Sequence, residues 1–136
     1  MSEEDFEEEK MEEKGVMVWL KVAEDDYNTA KYLFDGGIFY ASAFYCQQSI
    51  EKALKYLLIN EGGELVKTHS LKSLSKRVDM DENLQDKVVE LDDIDRLSRY
   101  PVMVGDMNVE KYDKEDVENF LNIVKEVLEW IKNKMK

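Results

Sequence analysis

The residues with chemistry to offer are few: one histidine, one Arg-Tyr-Pro step, and a helix carrying glutamines, a glutamate and lysines. Arg99 presents a planar fork of N–H donors suited to phosphate or carboxylate. Tyr100 beside it can stack on a base or pack against the protein, and Pro101 fixes the turn. Gln47, Gln48, Glu51, Lys52 and Lys55 recur at helical spacing, which puts them along one flank. Lys55 follows Glu51 by four residues, so the spacing predicts a pair on the helix surface. His69 opens a short segment with Leu71 and Leu74. A lone histidine makes no His-based metal cluster, and no metal site is expected. Asp92, Asp93 and Asp95 cluster, but without the ligand spacing of a cation loop. The chain has no Gly-rich phosphate loop, no CxxC and no Ser/His/Asp arrangement at a recognisable spacing. Arg99 therefore has two readings: it binds an anionic ligand, or it braces the bundle against Glu51 or a helix-end carbonyl.

The element that positions these groups is the stretch Tyr40–Ile59. It lacks Gly and Pro and is rich in Ala, Leu, Lys, Gln and Glu, which predicts a long helix. At about 100° per residue, Ala43, Cys46, Ile50, Ala53, Leu54, Leu57 and Leu58 form one broad apolar arc. Gln47 falls inside that arc and Glu51 on its edge. Ala41, Tyr45, Tyr56 and Ile59 form a second, roughly opposite strip, of the kind that marks an interface. Before it, Val16–Phe34 reads as a helix with Val16, Leu20, Ala23, Tyr27, Ala30 and Phe34 inward and Trp19 beside them. Gly36-Gly37 and Gly62-Gly63 end the two helices, which are expected to pack antiparallel. Ser70 or Thr68 caps a short third helix. A fourth is expected over Asp81–Arg99, with Leu84, Val88, Leu91, Ile94 and Leu97 inward and Pro101 stopping it. The loop Val102–Tyr112 is long for a small bundle. Asp113 caps the last helix, whose stripe is Val117, Phe120, Leu121, Val124, Leu128, Ile131 and Met135. No strand pattern and no repeat is found. The fold expected is an all-α, up-and-down four-helix bundle with a short additional helix, over residues 15–136. Residues 1–14 read as an acidic tail or frayed helical extension.

Composition sets the outer bounds. At 136 residues the chain is one domain with room for a core. Its formal net charge is −12, of which residues 1–14, with eight acidic and two basic side chains, supply −6. Such a surface repels phosphate backbones at long range, so general nucleic-acid binding is not expected. No membrane-spanning run and no leader pattern is present. The single cysteine, Cys46, falls on the core face, which fits a reduced cytoplasmic setting.

Three features together resemble the HEPN family, small all-α domains named for nucleotide binding in higher eukaryotes and prokaryotes. The central helix, Ala43-Phe44-Tyr45-Cys46-Gln47-Gln48-Ser49-Ile50-Glu51-Lys52-Ala53-Leu54-Lys55, is similar to that family's A-x-x-x-x-Q-Q-A-x-E-K-A-L-K helix. His69-Ser70-Leu71-Lys72-Ser73-Leu74 is similar to its H-x-L-x-x-L segment, and Arg99-Tyr100-Pro101 to the R-Y-P motif after its fourth helix. The resemblance covers Val16–Lys136. Many members are ribonucleases that use an arginine with a histidine four to six residues later. No histidine follows Arg99, Arg96 or Arg77 at that spacing, so the acid-base group is missing from its motif position. The places before and after R-Y-P that often carry an aromatic and an acidic residue hold Asp95 and Val102. The resemblance thus implies a non-catalytic, homodimeric interaction or nucleotide-binding module, paired with a small nucleotidyltransferase in a toxin-antitoxin-like arrangement. It implies no cofactor beyond a nucleotide ligand, and a candidate ligand site of Arg99, Tyr100, Pro101, Gln47, Glu51, Lys55 and His69. The alternatives are a ribonuclease toxin using displaced residues such as Arg99 and His69, and a purely structural dimer.

Overall fold

A computed structural model of the chain describes residues 15–94 and 112–136. Among them are five helices and no strand: α1 Met17–Asp35, α2 Phe39–Asn60, α3 Leu71–Arg77, α4 Glu82–Val89 and α5 Lys114–Lys134. This is the all-α bundle that the apolar periodicity predicts, with α3 as the short extra helix. The acidic segment 1–14 and the expected loop up to residue 111 lie outside the described residues, as do Leu97 and the Arg99-Tyr100-Pro101 step.

The first two helices stop for a local reason. Past α1, Gly37 takes φ +76°, its N–H bonds to the Phe34 carbonyl, and the Ile38 N–H reaches back to Leu33. Past α2, Gly62 takes φ +87°, with the same pair of bonds from Gly62 to Ile59 and from Gly63 to Leu58. The left-handed residue in both is a glycine because a Cβ is strained there. Gly63 is fixed by space instead: a Cβ would lie 2.7 Å from a Leu58 methyl and 2.9 Å from the Leu58 carbonyl oxygen. At the other ends, Ser70 caps α3, Asp81 caps α4, and Asp113 and Asp116 form a reciprocal capping box on α5.

The hairpin of α1 and α2 is the tightest pairing. Ala23 and Ala30 on α1 are fully buried, as are Ser42 and Ser49 on α2. The Ser42 hydroxyl donates to the Ala30 carbonyl at 2.7 Å, and the Ser49 hydroxyl to the Ala23 carbonyl at 2.6 Å. Both pairs step by seven residues, so the small faces meet twice, two turns apart, and both buried hydroxyls are paired. α2 is enclosed on nearly all sides. Its expected arc is buried, and so are Ala41, Ser42, Ser49, Glu51, Lys55 and Tyr56.

Three expectations change. The second apolar strip of α2 is not a free surface: Tyr56 is buried with Ala41, and Tyr45 and Ile59 are partly covered. The fourth helix ends at Val89 rather than running to Arg99. Tight turns carry the chain on to Ile94, with i→i+3 bonds from Leu91 to Val88, Asp92 to Val89 and Ile94 to Leu91. Leu84, Val88, Leu91 and Ile94 still point inward. Finally, Met135 falls beyond the end of α5 and is exposed, whereas Ile123 and Val127 join the buried stripe. No helix among the described residues is long and apolar enough to cross a membrane.

Candidate functional site

Residues 47, 48, 51, 52 and 55 form one stripe along α2, and its centre is Glu51. The Glu51 carboxylate is fully buried. The Lys55 ammonium lies 3.4 Å and the Lys52 ammonium 3.5 Å from Oε2. Lys55 is itself buried, so the surface pair expected from the four-residue spacing is an interior one. The chain after α2 returns to set His69 beside the same carboxylate. Its Nδ1 is 3.0 Å from Oε1 and 3.1 Å from Oε2, and the imidazole remains 60% exposed. Gln48 donates to the Gln47 side-chain oxygen at 2.7 Å, which supplies a partner for the buried Gln47 amide.

The start of α3 holds His69 in place. Thr68 Oγ1 accepts from the Ser70 N–H, and Ser70 Oγ accepts from the Ser73 N–H. Asp92, arriving from the turns after α4, accepts from the Leu71 N–H at 2.7 Å and the Lys72 N–H at 3.0 Å. Its carboxylate therefore serves the first turn of α3, where the helix dipole favours negative charge. Among the described residues no group of three His, Cys, Asp or Glu side chains gathers to hold a metal.

Trp19 of α1 closes the site from the other side. Its ring lies under both ammonium groups, 5.7 Å from Lys55 Nζ and 6.0 Å from Lys52 Nζ. Its indole N–H is buried without an acceptor among the described residues. Burial pushes the Glu51 carboxyl up, but Lys52, Lys55 and His69 together outweigh it and hold the group below its ordinary value. Asp26 behaves oppositely. Burial raises it to about 6, although Lys52 pulls it down, and the charges of Asp25 and Glu51 add to the rise.

Of the sequence-predicted site residues, Gln47, Glu51, Lys55 and His69 come together; Arg99, Tyr100 and Pro101 lie outside the described residues. Trp19 and Asp26 were not anticipated as part of the site. Their seven-residue separation places both on one face of α1, which is the signal the sequence did contain. Glu51, Lys52 and Lys55 sum to one net positive charge, which Asp26 offsets once it ionises above about 6. An acidic chain thus carries an edge where cations balance the carboxylates, with Lys52 partly exposed and His69 more so.

Known proteins are similar to this chain over most of its length. A profile of the HEPN domain matches residues 16–134. A Methanocaldococcus jannaschii protein named "Putative toxin MJ1304" is 29% identical, with 90% of each chain aligned. The crystal structure of ST0689, described as an archaeal HEPN homologue, is 32% identical with a TM-score of 0.75, covering 89% of this chain and 98% of that one. The crystal structure of TT1696 from Thermus thermophilus is 25% identical with a TM-score of 0.78, covering 88% and 97%. With nearly its whole bundle matched, this chain belongs to the HEPN domain family.

Proposed function

We propose that this protein is a non-catalytic HEPN module of the R-Y-P kind. It recognises a nucleotide or a partner protein at the edge formed by Gln47, Glu51, Lys55 and His69, and Arg99, Tyr100 and Pro101 are the further residues expected to contact that ligand. The observation that carries the reading is the buried Glu51 carboxylate, which gathers Lys52, Lys55 and His69 onto one edge of an otherwise acidic molecule. A carboxylate in that position fixes the cations without needing a reaction, and the partly exposed Lys52 and the exposed His69 suit a short-range phosphate contact. The family implies a small nucleotidyltransferase as the partner, in a toxin-antitoxin-like pair, and a two-fold homodimer as the working form. The test is calorimetric titration of ATP, ADP and AMP into wild type and Arg99→Ala. Binding abolished by the substitution supports the reading; binding that survives it unchanged places the site elsewhere. Co-purification with a co-expressed nucleotidyltransferase encoded beside it tests the partner.

A second reading, a ribonuclease toxin, is favoured by one specific contact. Glu51 fixes His69 through Nδ1 and leaves the rest of the imidazole accessible, as a carboxylate does for an acid-base histidine. The name of the M. jannaschii relative points the same way. RNA cleavage by the purified protein, lost in both Arg99→Ala and His69→Ala, would select this reading over the first.

A further inference from the structure

We propose that the cleft between α1 and α5 is a second, separate site that takes a small phosphorylated anion between Lys31 and Lys125. The cleft has a volume of about 410 Å³, within the range of small-ligand sites. It lies on the flank of α1 away from Trp19 and Asp26, so it shares no residue with the Glu51 cluster.

The register of the two helices makes the argument. Each lines the cleft with one i, i+3, i+4, i+7 face: residues 24, 27, 28 and 31 of α1, and 125, 128, 129 and 132 of α5. Lys132 Nζ lies 3.7 Å from Glu24 Oε1 and closes one end. From that end the cleft lining runs through Tyr27 and Glu129 to Lys31 and Lys125, at the 3.6-residue step of each helix. Burial first, then Cys46 and the Glu129 carboxylate, push the Tyr27 phenol up. Both lysines line the cleft. Lys125 makes no ion pair among the described residues, and the Lys31 ammonium rests on the Tyr27 ring, 4.5 Å from its centroid.

An acidic chain has many carboxylates with which to neutralise two lysines of one cleft, and none is paired with these two among the described residues. A phosphate dianion between them replaces repulsion with two charge-assisted hydrogen bonds. Asn28, one turn before Lys31, adds a neutral amide donor, while Leu128 and the Tyr27 ring give an apolar wall for the body of a phosphate ester. Glu24 and Glu129 disfavour a long polyanion, because its further charges would meet carboxylates. The ligand class is therefore a compact phosphate monoester or free phosphate.

The full chain, labelled with ¹⁵N, is titrated at neutral pH and low salt with inorganic phosphate and separately with AMP, and amide shifts are followed. The expected result is a set of shifts in residues 27–31 and 125–132, distinct from any AMP causes around Glu51, with their apparent Kd raised about tenfold or more in Lys31→Ala and in Lys125→Ala. Lys52→Ala and Arg99→Ala leave those shifts unchanged, which separates this site from the one proposed above. Tighter binding of AMP assigns the cleft to phosphate esters; equal affinities assign it to free phosphate. Lys125→Glu provides a fold control: it pairs with Lys31, keeps or raises the thermal midpoint, and loses binding. The proposal is overturned if neither probe shifts the cleft residues at millimolar concentration. It is also overturned if binding survives both alanine substitutions.

Discussion

At the scale of single residues, Glu51 decides most. Removing one partner of a buried ion pair leaves the other charge stranded, so Glu51→Ala is expected to cost about 3–5 kcal/mol in urea denaturation. Replacing both members by apolar groups of similar size, Glu51→Leu with Lys55→Met, should recover most of that loss. A double variant as unstable as the single one would show that the ammonium group contributes more than charge balance. The two perturbed carboxylates depend on pH with opposite signs. The Glu51 carboxyl titrates lower in the folded state than unfolded, so its contribution is present above the ordinary carboxylate range and lost as pH falls through its folded value. Asp26 titrates at about 6 in the folded state, so its contribution is present in acid and lost as pH rises from about 4 to about 6. Asp26→Asn, which fixes the neutral form, should raise the thermal midpoint above pH 6, with the gain vanishing near pH 4. A constant difference across that range would remove the electrostatic cause.

At the scale of elements, the sequence carried the five helices and most of their inward faces because apolar periodicity and end signals are local. What it did not carry was set by contacts distant in the chain. Ser42 and Ser49 lie outside the apolar arc read from the sequence, yet each is buried and gives its hydroxyl to an α1 carbonyl, 12 and 26 residues away. Glu51 read as the edge of an arc, and only the returning His69 and the two lysines explain its depth. After α4 ends, Asp92 turns to α3, a pairing across 21 residues that no window on α4 contains. Asp92→Ala should therefore cost about 0.5–2 kcal/mol, as loss of a capping group does. Asp93→Ala next to it, an exposed position, should stay within about 0.5 kcal/mol. Leu54, fully buried on α2, should lose about 2–5 kcal/mol as alanine. Equal losses at Asp92 and Asp93 would break the capping argument.

At the scale of the whole molecule, the proposed two-fold assembly needs an apolar surface, and the burial of Tyr56 leaves less of α2 for it than the periodicity suggested. Open on the hairpin are Met17, Tyr32 and Ile38, with Tyr45 partly covered. Light scattering at high micromolar concentration should give twice the chain mass, and a monomer there would refute the dimer. The α1–α2 hairpin also bears on the order of assembly. Its helices meet across a three-residue connection, so ring closure costs little, and the two serine contacts lock one register as soon as the helices touch. α5 must instead return to α2 from far along the chain. The hairpin is thus the natural nucleus: Leu54→Ala should slow the refolding limb of a stopped-flow chevron, whereas Val124→Ala on α5 should mainly hasten unfolding.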